Sequence, residues 1–294
     1  MLRFKKIAVI GAGIMGAGIA QRVASHSYRV VLLDTKEEYL KVAQDRITQS
    51  LDKLVEKGKI SEDTKYDALA LIEFVTDFNA TASCELVIEA VNENPELKHK
   101  IFTDLDRICS PQTILATNTS SIPIASLAGV TERPGKVLGL HFMNPVPLIP
   151  LVEMTRSGQM SDDVFEACRD FVESVGCQVV ESKDSPGFII NRILMPMINE
   201  AVRALESGIA TAEDIDRAMV LGTKQPMGPL ALADLIGLDT VVNILNTLSD
   251  GFEDERYRPC PLLLEHVQQN HLGRKTGRGF FEYEARSKVN GVLC

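Results

Sequence analysis

The sequence predicts an α/β protein, in which a Rossmann-type, doubly wound and mostly parallel sheet is followed by an all-α C-terminal domain. A strand-like apolar run at residues 7–10 leads into a glycine turn at residues 11–16 and then into a helical pattern. Strand-like and helical segments keep alternating to about Asp184, which is typical of a parallel sheet covered by helices. Beyond that point the pattern is helical with few strand signals. We therefore expect two domains, residues 1–184 and 185–294.

The glycine turn has the GxGxxG spacing of dinucleotide-binding loops. In such a turn Gly11 makes the tight bend, Gly13 lets a pyrophosphate approach the backbone, and Gly16 lets the helix pack close to the strand. The following helix offers the N–H groups of its first turn and the positive end of its dipole. A glycine turn that binds nothing is the alternative, but the flanking strand and helix argue against it. We expect the cofactor to contact Gly11, Ala12, Gly13, Ile14, Met15 and Gly16.

Asp34 directly follows the second strand-like run, residues 28–33. Its distance from the turn is close to the usual spacing of about 20 residues for a carboxylate that binds a ribose 2′-hydroxyl. A carboxylate there would repel a 2′-phosphate, and the next two residues, Thr35 and Lys36, include no arginine to accommodate one. The sequence therefore favours NAD over NADP.

Composition and charge exclude several classes of protein. The net charge of −9 gives no support to nucleic-acid binding, which uses a basic face. No apolar run approaches the roughly 20 residues that span a bilayer, and the first strand starts too early to leave room for a signal or transit peptide. The six cysteines are scattered without CxxC pairs or nearby histidines at zinc-ligand spacing, so we expect free thiols and no metal. A soluble, cytoplasmic protein follows.

A helical pair interrupts the simple strand–helix alternation after Asp34. A long amphipathic helix is predicted at residues 37–57, ended by Gly58, and a shorter one begins at residues 61–63. The pair carries four lysines: Lys53, Lys57, Lys59 and Lys65. A solvated helix face is the simpler interpretation of these charges, and a patch for an anionic ligand is the alternative.

The remaining elements follow from local patterns. Further strands are expected at residues 74–76, 86–91, 113–117, 136–140, 151–154 and 178–181. Further helices are expected from about residue 95 to 108 and at residues 164–175, 191–206, 212–221, 230–236, 240–248 and 261–269.

Two polar clusters, residues 118–121 and 141–144, follow predicted strands, and that edge of an open α/β sheet is where ligands bind. His141 ends a buried strand there, whereas the other histidines lie on or beside helices. A nicotinamide enzyme needs such a base; a core histidine is the alternative. Glu153 lies in a mostly apolar strand, where a carboxylate is costly unless paired. It would fix the tautomer of His141; a surface or helix-capping glutamate is the alternative.

Two further polar residues are candidates for substrate contacts. Ser120 could be a nucleophile beside His141, but the chain has no GxSxG elbow, and a hydroxyl that holds the substrate oxygen fits better. Asn191 opens the first helix of the second domain. It could point towards the substrate, or it could be an ordinary helix cap.

Six motifs together resemble the L-3-hydroxyacyl-CoA dehydrogenase family, most closely its short bacterial 3-hydroxybutyryl-CoA members. They are IGAGIMGAGIA at residues 10–20, EAVNEN at 89–94, TNTSSIPI at 117–124, LHFMNPVPLIPLVE at 140–153, DSPGFIINRIL at 184–194 and GRKTGRGFF at 273–281. The resemblance covers nearly the whole chain, and six motifs in one order are highly specific.

The resemblance implies a role for each matching residue. His141 would be the catalytic base and Glu153 the residue that orients it, while Ser120 and Asn191 would hold the 3-oxygen and thioester region of the substrate. Further contacts to NAD are implied for Glu93, Lys98, Ser120, Asn144 and Lys275. The helical pair would bind the coenzyme A moiety through Lys53 and Lys57. The helical domain would form a homodimer.

We therefore predict an NAD-dependent oxidoreductase that interconverts a short-chain L-3-hydroxyacyl-CoA, such as 3-hydroxybutyryl-CoA, and the 3-oxoacyl-CoA. One alternative is a dehydrogenase of a free sugar acid, similar to the gulonate dehydrogenases that double as lens crystallins, which would not need the lysine patch. The other is a non-catalytic NAD-binding protein, which would not need Glu153 beside His141.

Overall fold

The computed structural model describes residues 4–283. The chain divides into two compact units, the first ending at Ser185 and the second beginning at Pro186. The first unit is a sheet with helices on its faces, and the second is helical. The predicted fold class, a mostly parallel Rossmann-type sheet followed by a helical part, is confirmed.

The sheet of the first unit has eight strands in the order β3-β2-β1-β4-β5-β6-β7-β8. Their bounds are β1 Lys6–Ile10, β2 Arg29–Leu33, β3 Ile72–Val75, β4 Leu86–Glu89, β5 Ile114–Thr117, β6 Val137–Phe142, β7 Leu151–Arg156 and β8 Gln178–Lys183. The strand order reverses at β1, which pairs with β2 on one side and β4 on the other. Such a switch point opens a crevice at the carboxyl ends of the strands.

One neighbouring pair of strands, β6 and β7, runs antiparallel; the other pairs are parallel. The connection between them, residues 143–150, is shorter than the dozen or so residues that a parallel crossover needs. The antiparallel partner also extends β6 through Phe142, which pairs with Val152. The strand was predicted to end at His141, and it ends one residue later, at Phe142.

Six α-helices accompany the strands in the described part of the first unit. They are α1 Ile14–Ala24, α2 Glu37–Glu56, α3 Glu62–Ala70, α4 Pro95–Ile108, α5 Ile124–Ala128 and α6 Asp162–Ser174. The inserted pair, α2 and α3, forms as predicted, and the Ser61 hydroxyl caps α3 by accepting the Thr64 N–H at 3.1 Å. The sequence analysis missed α5, because five residues are too few to show a helical period.

Helix α1 approaches the sheet unusually closely because small residues form its inner side. A Cβ on Gly16 would lie 1.7 Å from the Gly11 carbonyl oxygen, and one on Gly18 would lie 3.0 Å from the Cβ of Val146. The main core extends from this contact along one face of the sheet, where the strands bury Ile7, Val9, Leu32, Ile88 and Leu140.

The second unit contains five described helices: α7 Ile190–Glu206, α8 Ala212–Thr223, α9 Pro229–Ile236, α10 Leu238–Phe252 and α11 Pro261–Gln268. Their core includes Ile198, Val202, Leu230, Val241, Leu245 and Leu263. The prediction made α10 too short, since the helix starts directly after Gly237 and extends to Phe252. Gly237 has a φ of +100°, which lets the chain turn between α9 and α10.

Within the described residues no single helix is long and apolar enough to cross a membrane, and only α9 and α10, bent by 97°, meet that test when joined. The five described cysteines, Cys84, Cys109, Cys168, Cys177 and Cys260, are free and buried. Burial raises the pKa of the Cys168 thiol to about 12, which makes it unreactive. The sixth, Cys294, lies outside the described residues.

Replacing Gly16 by alanine tests the close packing of α1. The added Cβ would meet backbone, which cannot swing aside, so we expect Gly16→Ala to lower the free energy of unfolding by about 3 kcal/mol. Denaturant unfolding followed by circular dichroism measures this change.

Gly158→Ala is the matched control, because a Cβ at Gly158 meets no atom within 4 Å. We expect it to change the free energy of unfolding by less than about 0.5 kcal/mol. Equal losses in the two variants would contradict the packing argument.

Candidate active site

The glycine turn and Asp34 are joined by direct hydrogen bonds. The Gly11 N–H donates to the Leu33 carbonyl at 2.8 Å, and Gly11 adopts a φ of +101° that favours glycine. The Asp34 carboxylate accepts the Ala12 N–H at 2.6 Å and the Thr35 N–H at 2.7 Å. These bonds hold the carboxylate beside the turn, where it was predicted to meet a ribose.

The start of α1 fits a pyrophosphate. The Ala17 N–H donates to the Gly13 carbonyl at 3.0 Å, so the N–H groups of Ile14, Met15 and Gly16 precede the hydrogen-bond ladder of the helix. A Cβ added to Gly13 would meet no atom within 4 Å. The turn therefore leaves open space in front of N–H donors at a helix N-terminus, which is the arrangement that binds phosphate groups.

A buried ionic cluster follows β4. The Lys98 ammonium donates to the two carboxylate oxygens of Glu89 at 2.7 and 2.9 Å and lies 3.3 Å from Glu93. Lys98 and Glu89 are 1% and 0% exposed, so neither charge is compensated by water. The Lys98 ammonium therefore bridges Glu89 and Glu93, and its direct contact with NAD stays a prediction.

Glu93 organises the loop after β5. Its Oε1 accepts the Thr119 hydroxyl, the Ser120 N–H at 3.0 Å, and the Ser121 N–H and hydroxyl at 3.1 and 2.7 Å. Burial opposes ionisation of Glu93, but the Lys98 charge and these donors outweigh it and lower the pKa of Glu93 below its ordinary value. An ionised Glu93 therefore fixes the backbone that carries Ser120.

His141 and Glu153 form a hydrogen-bonded dyad. They lie directly opposite each other in the β6–β7 register, so their side chains project from the same face of the sheet. The His141 Nδ1 lies 2.8 Å from the Glu153 Oε2, and Glu153 is completely buried. An ionised carboxylate only accepts hydrogen bonds, so a bond to ionised Glu153 would place the proton on Nδ1 and leave Nε2 as the acceptor of the neutral ring.

Asn118, a member of the predicted polar cluster at residues 118–121, and Arg22, which the sequence analysis missed, make hydrogen bonds close to the dyad in the chain. The Asn118 Oδ1 accepts the Phe142 N–H at 2.8 Å, which ties the Ser120 loop to β6. The Arg22 side chain on α1 donates to the carbonyls of Val146 and Val175 at 2.8 and 3.1 Å. The sequence offered a weak signal for Arg22, namely a charge on an otherwise apolar helix.

Two more missed residues are carboxylates with strong local roles. Glu89 ends an apolar strand, which is the same signal that identified Glu153. Asp184 accepts the N–H groups of Ile124 and Ala125 at 3.0 and 2.8 Å, which anchors the start of α5 directly after the Ser120 loop. Asp184 lies 59 or 60 residues away from these partners along the chain, so local sequence patterns cannot predict the contact.

The other predicted site residues lie apart from this cluster along the chain. Asn191 is the second residue of α7 and is buried, while Ile189 occupies the N-cap; the helix-cap interpretation of Asn191 was therefore wrong. Lys275 forms an ion pair with Asp239 within the second unit. Asn144 is exposed in the connection between β6 and β7.

The lysines of the helical pair differ in their surroundings. Lys53 lies in the last turn of α2, and Lys57 follows that helix as its C-cap. Lys65 on α3 pairs with Asp52 at 2.5 Å and Glu62 at 3.3 Å, so its charge is locally compensated. Lys65 is therefore the weaker candidate for an anion contact, and the roles of Lys53 and Lys57 in the anion patch stay predictions.

A phosphate-binding turn, an acid at the end of β2 and a histidine–carboxylate dyad meet at one edge of a Rossmann-type sheet. These features define the class of nicotinamide-dependent oxidoreductases.

Comparison with known proteins gives the family. The model described as the NAD binding domain of 3-hydroxyacyl-CoA dehydrogenase matches residues 6–185, and that described as the C-terminal domain matches residues 187–283. The chain therefore belongs to the 3-hydroxyacyl-CoA dehydrogenase family. It is an NAD-dependent enzyme, and this membership favours the acyl-CoA activity over a sugar-acid dehydrogenase or a non-catalytic NAD-binding protein.

Individual relatives match over nearly their whole length. The 3-hydroxybutyryl-CoA dehydrogenase of Bradyrhizobium diazoefficiens is 47% identical, over 97% of this chain and 97% of that protein. The mitochondrial hydroxyacyl-coenzyme A dehydrogenase of Homo sapiens is 42% identical, over 95% and 91%. The crystal structure of (S)-3-hydroxybutyryl-CoA dehydrogenase from Ralstonia eutropha superposes with a TM-score of 0.93 at 43% identity, covering 96% of this chain and 100% of that one.

Gly13→Ala tests the fit of the glycine turn to NAD. The new methyl group would project into the space that a pyrophosphate needs, so we expect the Kd for NADH to rise at least about tenfold. Fluorescence titration with NADH measures the Kd. Because the methyl group meets no protein atom, the unfolding midpoint should stay near the wild-type value; unchanged NADH affinity would contradict the assignment.

Proposed function

We propose that this enzyme interconverts a short-chain L-3-hydroxyacyl-CoA, best represented by 3-hydroxybutyryl-CoA, and the corresponding 3-oxoacyl-CoA. The observation that carries the chemistry is the His141–Glu153 dyad at the carboxyl edge of the sheet. The substrate is supported by relatives named 3-hydroxybutyryl-CoA dehydrogenase at 43–48% identity.

His141 acts as the base in the direction of oxidation. Its Nε2 takes the proton of the 3-hydroxyl, and Nδ1 keeps its own proton because Glu153 accepts it. The buried Glu153 carboxylate then stabilises the imidazolium that forms, a role comparable to that of the acid in hydrolase triads. Bound NAD would supply the acceptor for the hydride that leaves C3. In the direction of reduction, His141 returns the proton to the 3-oxygen.

Ser120 holds the 3-oxygen of the substrate in this proposal. Its backbone N–H is fixed by Glu93, so the loop geometry is preorganised before the substrate arrives. Asp34 binds the ribose 2′-hydroxyl of NAD, and Asn144 and Glu93 lie at the same sheet edge as further contacts. A contact of Asn191 with the substrate stays a prediction, and so does a contact of Lys275 with NAD.

The coenzyme A moiety is assigned to Lys53 and Lys57. The net charge of −9 repels a polyanion in general, so a phosphate-bearing substrate needs a local group of cations. These two lysines supply it at the end of α2. The first unit would then be the NAD-binding domain and the second the substrate and dimerisation domain. The homodimer and the cytoplasmic location also stay predictions.

Substitutions in the dyad test the mechanism. We expect His141→Ala to lower kcat about 10²- to 10⁴-fold, the usual contribution of a positioned general base. Glu153→Gln should lower kcat at least about tenfold, because its amide no longer stabilises the imidazolium. Steady-state oxidation of NADH with acetoacetyl-CoA measures both.

Glu166→Gln is the matched control for Glu153→Gln. Glu166 lies on the surface of the same unit, where it pairs with Arg169 at 3.1 Å, and exposed pairs contribute little to stability. It should keep wild-type kcat. Near-wild-type turnover of His141→Ala would refute the proposed mechanism.

The substrate class is tested by following NADH absorbance with acetoacetyl-CoA, free acetoacetate and a 3-oxo sugar acid in parallel. Turnover of the thioester alone is the expected result. Turnover of a free acid without the thioester would transfer the enzyme to the sugar-acid class and leave Lys53 and Lys57 as a solvated surface.

A further inference from the structure

The buried carboxylate of Glu89 is bonded to residues that in turn contact the proposed site. It is 0% exposed and accepts four hydrogen bonds from three groups: the Lys98 ammonium reaches both of its oxygens, the Val91 N–H donates at 2.7 Å, and the Thr117 hydroxyl donates at 2.7 Å. The donors come from three neighbouring elements, since Val91 follows β4, Lys98 lies on α4 and Thr117 ends β5.

An unbroken set of contacts leads from Glu89 to Ser120. Glu89 holds the Lys98 ammonium, which lies 3.3 Å from Glu93, and Glu93 accepts the Ser120 N–H at 3.0 Å. A second route is shorter, because the Thr117 hydroxyl that donates to Glu89 also accepts the Thr119 N–H at 3.2 Å. Both routes end in the loop that carries the Ser120 side chain.

Stability alone is a poor reason for this arrangement. Replacing a buried ion pair by apolar residues is often neutral or stabilising, because removing two charges from water offsets most of their attraction. A buried pair does, however, allow few alternative arrangements of the groups bonded to it. Here those groups are the ends of two strands and the Ser120 loop.

We propose that Glu89 is a positioning residue for the dehydrogenase reaction, which acts through Lys98, Glu93 and Thr117 to place Ser120. This inference rests on the proposed function, in which Ser120 holds the 3-oxygen of the substrate. Glu89 itself touches neither substrate nor cofactor in this account.

A double-mutant cycle between Glu89 and Ser120 tests the inference. Glu89→Gln keeps the shape of the side chain but removes its charge, so the Lys98 ammonium loses its strongest partner. We expect kcat to fall about 10- to 100-fold, since misplacing a catalytic group by 1 Å can cost on the order of 10² in rate. In a Ser120→Ala background the same substitution should lower kcat less than about twofold, because the side chain that it positions is gone.

Two readouts separate positioning from general damage. The Kd for NADH, measured by fluorescence titration, should rise by a smaller factor than kcat falls, because the glycine turn and Asp34 are not bonded to Glu89 and only the proposed contacts of Glu93 and Lys98 depend on it. Thr113→Val is the matched control, since it removes another buried hydrogen bond, from Thr113 to the Cys84 carbonyl at 2.8 Å, at the opposite edge of the sheet. It should leave kcat unchanged.

A second pair of variants keeps the test open if Glu89→Gln fails to fold. Thr117→Val removes the hydroxyl that joins Glu89 to the loop, and Thr117→Ser restores it. We expect Thr117→Val to lower kcat in the wild-type background only, and Thr117→Ser to recover it.

Equal fold-losses in the wild-type and Ser120→Ala backgrounds would overturn the inference, and so would a Glu89→Gln enzyme with wild-type kcat. Both results presuppose that the wild-type enzyme turns over acetoacetyl-CoA. An inactive wild-type enzyme would instead refute the proposed function.

Discussion

The antiparallel pairing of β6 and β7 is the constraint on which the chemistry of this enzyme depends. In an otherwise parallel sheet, it places His141 directly opposite Glu153 and buries the carboxylate against the ring. A one-residue shift of register would turn one partner to the other face of the sheet and break the dyad. The register is held from outside the pair, because Asn118 bonds the end of β6 and Arg22 bonds the connection that follows.

Carboxylates that accept backbone N–H groups are the second structural feature of the site, because they fix its loops. Asp34 holds the glycine turn, Glu93 holds the Ser120 loop, and Asp184 holds the start of α5. Loops at the carboxyl edge of a sheet have no ladder to satisfy their N–H groups, and an ionised carboxylate is a strong acceptor for them. The enzyme thus fixes the same loops that must meet the cofactor and the substrate.

Much of this organisation could be predicted from the sequence, because its signals are local. The GxGxxG turn, the distance to Asp34 and the alternation of elements predicted the fold, and the cost of a carboxylate in an apolar strand identified Glu153. The same argument applied to Glu89 and was overlooked. Contacts such as those of Asp184 and Arg22 join residues far apart in the chain, and local patterns carry no information about them. The five-residue α5 left no periodic pattern to detect.

The tautomer of His141 tests the account most directly, since every role assigned to the dyad depends on which ring nitrogen carries the proton. Nitrogen-15 NMR of histidine-labelled enzyme, with His141→Ala to assign the resonance, reports it for the neutral ring. The account predicts a protonated Nδ1 and an unprotonated Nε2 in the wild type, with mixed tautomers in Glu153→Gln. A neutral ring protonated at Nε2 in the wild type would contradict it, because His141 could not then take the hydroxyl proton.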